Sequence, residues 1–406
     1  MERIVVTGLG LVTPFGTSAD DFAAAMIDGR SAVVPVTQFG VDGCRAQCAA
    51  VVRDFDATRW IAPMKARRLD VTSQYAMAAA CQALDAAAFP YGAEPQDATG
   101  VAVGTYTGGG SRTEEFLEGL FRLGPVGAPA MLFNATVANV AASTIGLELK
   151  LRGPNISISS KEVSALTAVA HAVDLIRAGQ ARAIITAGVD ALYPLFFRVH
   201  DHFGVLSRSN GHPEGSRPFD ATRNGFVLGE GGYAALLEPA DAAAARGATP
   251  LAEILAIECG GSATGINQWP ARPRDIARVM RRAIDVAGVS PDDVDVVYAS
   301  ANSAPRLDAI EAAAIGEVFG SRQPVVTAVK GALGEASASA MAAFASAILC
   351  GRRGRVPPIA GLRQVDPLCA HLNLATGAAA ARGPVALVNG VASGGALVAA
   401  VLRVIV

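Results

Sequence analysis

Apolar residues along this chain fall into short uninterrupted runs separated by alanine-rich stretches. Residues 3–9 (RIVVTGL) read as a short apolar strand, and 98–110 (ATGVAVGTYTGGG) and 181–192 (ARAIITAGVDAL) each as a buried strand ending in glycine or another small residue. The theme recurs at 293–303 (DVDVVYASANS), 323–334 (QPVVTAVKGALG) and 383–395 (GPVALVNGVASGG). Strands of this kind, alternating with helical stretches, predict an α/β fold with mostly parallel sheets. Helices are expected at 73–88, 161–178, 274–287, 306–318 and 337–350, where alanine-rich faces permit close packing and a buried helix layer between two sheets. The repetition divides the chain into two similar halves, 1–250 and 251–406, with the boundary after ALLEPADAAAARGATP.

Composition narrows the function. Of the 406 residues, 51% are hydrophobic and 17% charged, which suits large buried surfaces and a subunit interface and not disorder. The formal net charge of −2, without a basic block, gives no electrostatic footprint for nucleic acid. No apolar run reaches the roughly 18–20 residues of a membrane span without a charge or glycine. The opening MERIVVTGLG runs straight into a strand without a leader pattern, so a cytoplasmic location is expected. The six cysteines form no CxxC pair, and the five histidines form no metal-binding pattern; no metal is expected.

The segment GPNISISSKEVSALTAVAHA (153–172) reads as a strand, a tight turn and a long helix, the layout of a nucleophile elbow. Lys161 and Glu162 stand where a nucleophile belongs. His171 follows Glu162 by nine residues, which is two and a half helical turns, and so faces away from the elbow. His200 and His202, in RVHDHFGVLSR, read as surface or interface residues without chemistry. The glycine cluster at 104–112 lacks the GK[ST] ending of a phosphate loop, and no nucleotide or other cofactor is expected.

SRPFDATRNGFVLGEGGYAALLE (216–238) closely resembles the signature of β-ketoacyl synthases of the thiolase-like condensing-enzyme family. VVTGLGLVTPFG, NVAASTIGLELKLRGPN (139–155) and VNGVASGGALVAAVL (388–402) fall in that family's order and spacing, so the resemblance covers essentially the whole chain. It implies a thiolase-like fold: two similar α/β halves, each with a five-stranded sheet, in a layered α-β-α-β-α core. Within the signature, Arg217, Asp220, Arg223 and Glu230 read as a buried ion-pair and turn network holding the halves together.

The catalytic positions depart from the family. Ketosynthases carry a cysteine at the elbow, where the helix N-terminus favours the thiolate. Here that position is Glu162, a poor acyl carrier. The segment ASANSAPRLDAIE places Ser300 where the first catalytic histidine belongs, with Ala301, Asn302 and Ala304 replacing residues that hold the pantetheine arm. VKGALGEAS keeps Lys330 but puts Glu335 in place of the second histidine, and the aromatic gate of GFGG is Ser393. Nucleophile, both imidazoles and gate are missing together. Glu162 is expected to pair with Lys330 or Lys161, and Lys330 to serve as a structural counter-ion. If Glu162 and Glu335 share the pocket, their like charges should raise the pKa of one unless Lys330 lies between them.

This pattern resembles the chain-length factors, the ketosynthase-β subunits of type II polyketide synthases. The resemblance implies a non-condensing subunit in a heterodimer with a cysteine-bearing ketosynthase, which would receive acyl groups from an acyl carrier protein. It places Thr113 and Phe116 near the polyketide tunnel as gating candidates and the apolar segment 128–142 at the dimer contact. Two other readings stand beside it: a stand-alone decarboxylase or acyl-modifying enzyme using Glu162 and Glu335, and a purely structural ketosynthase partner.

Overall fold

The computed structural model describes residues 2–406. Its main sheet is built from β1 (Ile4–Val12), β2 (Thr99–Gly104), β3 (Asn155–Ile158), β4 (Ala183–Asp190), β5 (Gly231–Pro239), β6 (Ala252–Gly261), β7 (Val296–Tyr298), β8 (Val325–Thr327), β9 (Val385–Val391) and β10 (Ala396–Val404). The spatial order is β8-β7-β9-β10-β6-β1-β5-β4-β2-β3. Read outward from the β1–β6 contact, each half has the same five-strand order, so the fold is an internal duplication. The two halves are joined where Ile4–Val6 pair antiparallel with Ala252–Ile254.

The strands are less parallel than the sequence predicts. In each half two pairs are parallel, β2 with β3 and β4, and β7 with β8 and β9. The others are antiparallel: β5 with β4 and β1, and β10 with β9 and β6. The direct hairpin between β9 and β10 can only yield an antiparallel pair. Because β1, β4, β5 and β9 are buried along their whole length, they read as continuous apolar runs whichever way they pair.

The helices complete the layers. On one outer face, α1 (Val71–Ala86) packs on β1, β4 and β5 beside α3 (Val140–Glu148). The short α2 (Gly110–Leu123) runs between them in sequence and buries no residue fully. On the other outer face, α6 (Pro273–Ala287) and α7 (Pro305–Phe319) pack together, and α6 covers β6 and β10. Between the halves lie α4 (Ser164–Arg177) and α8 (Ser337–Gly351). Every residue of α8 from Ser337 to Cys350 is buried, and it touches strands of both halves. The expected central helix layer is therefore present.

Alanine and glycine set how closely these layers approach. A Cβ on Gly188 of β4 would lie 2.5 Å from Ala165 Cβ of α4 and 2.8 Å from Met341 Cβ of α8. A Cβ on Gly104 of β2 would meet the Ser164 carbonyl oxygen at 2.2 Å. Both contacts are shorter than any side chain permits, so these glycines let the start of α4 rest directly on the strand ends.

A buried arginine ties the halves together. Arg223 lies 3.4 Å from Asp308 and also pairs with Asp366. The wider network differs from the expected one. Asp220 accepts from the amides of Arg363 and Gln364, and Glu230 accepts from those of Val52 and Leu192. Arg217 donates to the Pro213 carbonyl. Arg223 thus carries the ion pairing, while the two carboxylates secure loop backbone.

Candidate functional site

The elbow forms as the sequence predicts, with one refinement. After β3 the backbone turns through Lys161 at φ 53°, a left-handed conformation uncommon for a residue with a Cβ. Residues Lys161–Val163 make a 3-10 turn, and regular α-helix begins only at Ser164. The Ser164 hydroxyl donates to the Lys161 carbonyl at 2.6 Å and accepts from the Ser160 amide at 2.8 Å, which pins the turn. Glu162 is thereby directed inward and is only 4% exposed.

The Glu162 carboxylate is held by one residue, Ser393, on the glycine-rich β9–β10 hairpin. The Ser393 amide donates to Oε2 at 3.0 Å and its hydroxyl to Oε1 at 2.8 Å. The expected pairing with a lysine is not made. Lys161 reaches Asn267 and, at 3.3 Å, the Ser393 hydroxyl, while Lys330 is engaged elsewhere. The hairpin presents two donors to the carboxylate, while Lys330, itself buried, is committed to Glu335 and Ser300. Burial pushes the Glu162 pKa up; hydrogen bonds from Ser393 and the charge of Lys330 oppose that push.

Ser300 and Glu335, expected in place of the two imidazoles, converge on Lys330. Its ammonium lies 2.8 Å from Glu335 and 3.3 Å from the Ser300 hydroxyl, and all three residues are buried. Lys330 is the counter-ion of Glu335 and not of Glu162. Asn302 turns inward and donates to Glu335 at 2.6 Å, and the Ser300 amide donates to Glu311 at 2.7 Å. One oxygen each of Glu335 and Glu311 is buried without a partner. Burial drives both pKa values up to about 7, and for Glu335 the proximity of Glu162 adds to the rise while Lys330 opposes it. Like charges on neighbouring buried carboxyl groups favour the protonated forms, which adds to the effect of burial.

A cavity of about 580 Å³ opens onto Glu162 and Ser393. Its walls are rich in rings, including Tyr106, Phe196, His200 and Phe226. His200 is a correction to the expected surface role. It lies on α5 (Pro194–Phe203), its Nδ1 is 2.8 Å from the Phe196 carbonyl, and burial lowers its pKa. The signal was present in the sequence: Phe196 and His200 are four apart and share one helix face. Their ring centroids are 4.3 Å apart, and Tyr106 lies edge-on to both. His202, on the same helix, is exposed, as is His171 on α4.

The gating candidates separate in space. Ser393 lines the Glu162 cavity, whereas Thr113 lines a smaller one of about 240 Å³ that shares the Tyr106 wall. The Thr113 hydroxyl donates to the carbonyls of Gly109 and Thr136, both at 3.1 Å. Phe116, half-buried on α2, has its ring 6.0 Å from that of Phe133. Tyr106 is therefore the partition between the elbow cavity and the α2 region. Among the described residues no cluster of three or more metal-ligating side chains occurs, and no helix is long and apolar enough to cross a membrane.

Comparison with known proteins places this geometry. The β-ketoacyl synthase N-terminal domain matches residues 1–243 and the C-terminal domain residues 251–363. The chain belongs to the β-ketoacyl synthase family. It is 32% identical to 3-oxoacyl-[acyl-carrier-protein] synthase 2 of Coxiella burnetii, over 91% of this chain and 90% of that one. It is 34% identical to the tetracenomycin polyketide synthase ketoacyl synthase beta subunit of Streptomyces glaucescens, covering 88% of each. The solved structure of the ishigamide ketosynthase/chain length factor superposes with a TM-score of 0.92 at 29% identity over the full length of both chains. Fatty-acid-type synthases and polyketide β subunits are thus similarly near in sequence, and the residues at the elbow have to separate them.

Proposed function

We propose that this chain is the non-condensing member of a ketosynthase pair, a chain-length factor working beside a cysteine-bearing ketosynthase in type II polyketide or fatty-acid-like synthesis. The observation that carries the reading is the occupation of the elbow by Glu162, whose two carboxylate oxygens take both donors of Ser393. A carboxylate fixed in that way offers no thiolate for acyl transfer. The positions of the two imidazoles hold Ser300 and Glu335, and Lys330 consumes the charge of the latter.

The surface supports a partner. Around α2 and the segment that follows, Phe121, Leu123, Val126, Met131 and Phe133 are exposed, Val126 by 99% and Met131 by 92%. A contiguous apolar stretch of this kind is costly in water and is a mark of an interface. Strand β3 lies at the open edge of the main sheet and can extend the sheet into another subunit. The ketosynthase/chain length factor structure and a type II acyl-carrier protein solved with its ketosynthase are the assemblies after which this reading is drawn. The partner would load acyl and malonyl groups from the carrier, and this chain would supply part of the tunnel wall through Thr113, Phe116 and Ser393.

A reconstitution tests the role. The chain alone should show no condensation, and product length should respond to tunnel-wall substitutions in this subunit once the partner is present. The raised pKa of Glu335 favours one second reading, a decarboxylase using Glu162 and Glu335 as base and acid. That reading requires turnover by the lone chain, abolished in Glu162→Gln. If products form with the partner but keep one length whatever lines the tunnel, a purely structural partner remains.

A further inference from the structure

We propose that Tyr106 is the residue at which a growing chain stops in this subunit, its ring closing the passage from the α2 cavity to the elbow cavity and so fixing product length. The proposal rests on the subunit role above and names the specificity determinant within it. Two cavities lie on either side of this one side chain. Tyr106 lines both the space of about 580 Å³ at Glu162 and the space of about 240 Å³ at Thr113, and no other described residue is common to the two.

The order in which a chain meets the two spaces follows from the surface. The smaller one is walled by Gly109, Gly110, Thr113, Thr136 and Ala138, which stand at the two ends of the segment that exposes Phe121, Leu123, Val126, Met131 and Phe133. A chain handed across an interface at that segment therefore enters beside Thr113 first. It meets Glu162 and Ser393, in the larger space, only past the Tyr106 ring.

The ring is held as a wall and not as a swinging gate. The Tyr106 amide donates to Asp190 at 2.7 Å, and the same buried carboxylate accepts from the Thr107 amide at 2.8 Å and from the Ala338 amide of α8 at 2.9 Å. The ring stands edge-on to Phe196 at 5.2 Å and to His200 at 6.0 Å, a geometry that aromatic pairs favour. On its other side the glycine run brings backbone into contact: a Cβ on Gly109 would lie 2.1 Å from the Ala135 carbonyl oxygen, and one on Gly110 2.3 Å from the Tyr193 hydroxyl. A side chain packed in this way yields little to a chain pressing on it. Removing the ring would join the smaller space to one more than twice its size.

Reconstitution with a cysteine-bearing ketosynthase, an acyl carrier protein and malonyl groups, with product masses read by mass spectrometry, tests this. Tyr106→Ala should shift the main product to a length greater by at least one malonyl-derived unit. Tyr106→Phe, which restores the ring, should return the native length. Should Tyr106→Ala fail to fold or to assemble, Tyr106→Val removes the ring with less loss of volume and should give the same shift. Products of native length from both ringless variants would overturn the wall and leave the subunit role standing, since the native pair still makes product. The same lengthening in Tyr106→Phe as in Tyr106→Ala would also overturn it. A native pair that makes no product would overturn the subunit role and this proposal together.

Discussion

The Ser393 amide and hydroxyl both donate to the Glu162 carboxylate, so the hairpin between β9 and β10 is latched to the elbow of the opposite half by one short side chain. In a ketosynthase the elbow carries the nucleophile. Here the same place is filled from within. If the chain is the non-condensing subunit proposed, a thiol alone should not confer condensation: Glu162→Cys is expected to show none in an acyl-carrier assay, because Ser300 and Glu335 occupy the places the proposal assigns to the two imidazoles. Condensation by that single variant would contradict the reading of the site as comprehensively altered.

The Lys330–Glu335 pair predicts a stability asymmetry. Both residues are buried, so Lys330→Met leaves Glu335 without its counter-ion, at a cost of about 3–5 kcal/mol. The double variant Lys330→Met/Glu335→Leu removes both charges and should recover much of the loss. Chemical denaturation of the two single variants and the double one measures the coupling directly.

Protonation of the same carboxylate gives a pH signature. The folded pKa of Glu335 is about 7 against an ordinary 4.5, so between these values the folded chain binds more protons than the unfolded one. Stability from this group is present in full below about pH 4.5 and is lost as the pH rises through 7. Glu311, shifted the same way by burial, acts in the same window. Thermal melts of the native chain and Glu335→Gln between pH 5 and 8 should converge towards the acidic end, with the native chain losing stability relative to the variant as pH rises.

Arg223 offers a test of how the halves are held. Its ion pairs to Asp308 and Asp366 span the two halves, and Arg223→Ala leaves Asp308, which is wholly buried, unpaired. A loss of about 3–5 kcal/mol is expected. Arg223→Lys should rescue only part of it, since an ammonium cannot reproduce the geometry of two separate partners.

Phe116→Ala should lengthen products in the reconstituted pair if α2 gates the tunnel as proposed, because Phe116 stands three residues after Thr113 on α2 with its ring 6.0 Å from that of Phe133. Chromatographic sizing of the products reads the change. Unchanged length in this variant and in Thr113→Ala would remove the gating role from α2.

Sequence made the architecture legible because buried strands and alanine-rich helices leave unmistakable runs; the five helices expected at 73–88, 161–178, 274–287, 306–318 and 337–350 are all found, with ends shifted by a few residues. Strand direction was not legible, since a strand covered on both faces is apolar regardless of its neighbours. Glu162, Ser300, Lys330, Glu335 and Ser393 could be picked out one by one from their motifs, and the structure brings them into one neighbourhood. Their connections could not be read from the sequence. That Glu162 would take Ser393 and leave Lys330 to Glu335 depends on reach across a hairpin 231 residues away. His200 was missed because a charged HDH segment looks like surface, whereas the helix turns one of the two histidines inward and the other out.

The subunit role is tested most directly by the mass of the native complex formed when this chain, carrying the sole tag, is co-expressed with a cysteine-bearing ketosynthase from the same genome. A one-to-one heterodimer is the predicted result. A homodimer of this chain that leaves the ketosynthase unbound would contradict it.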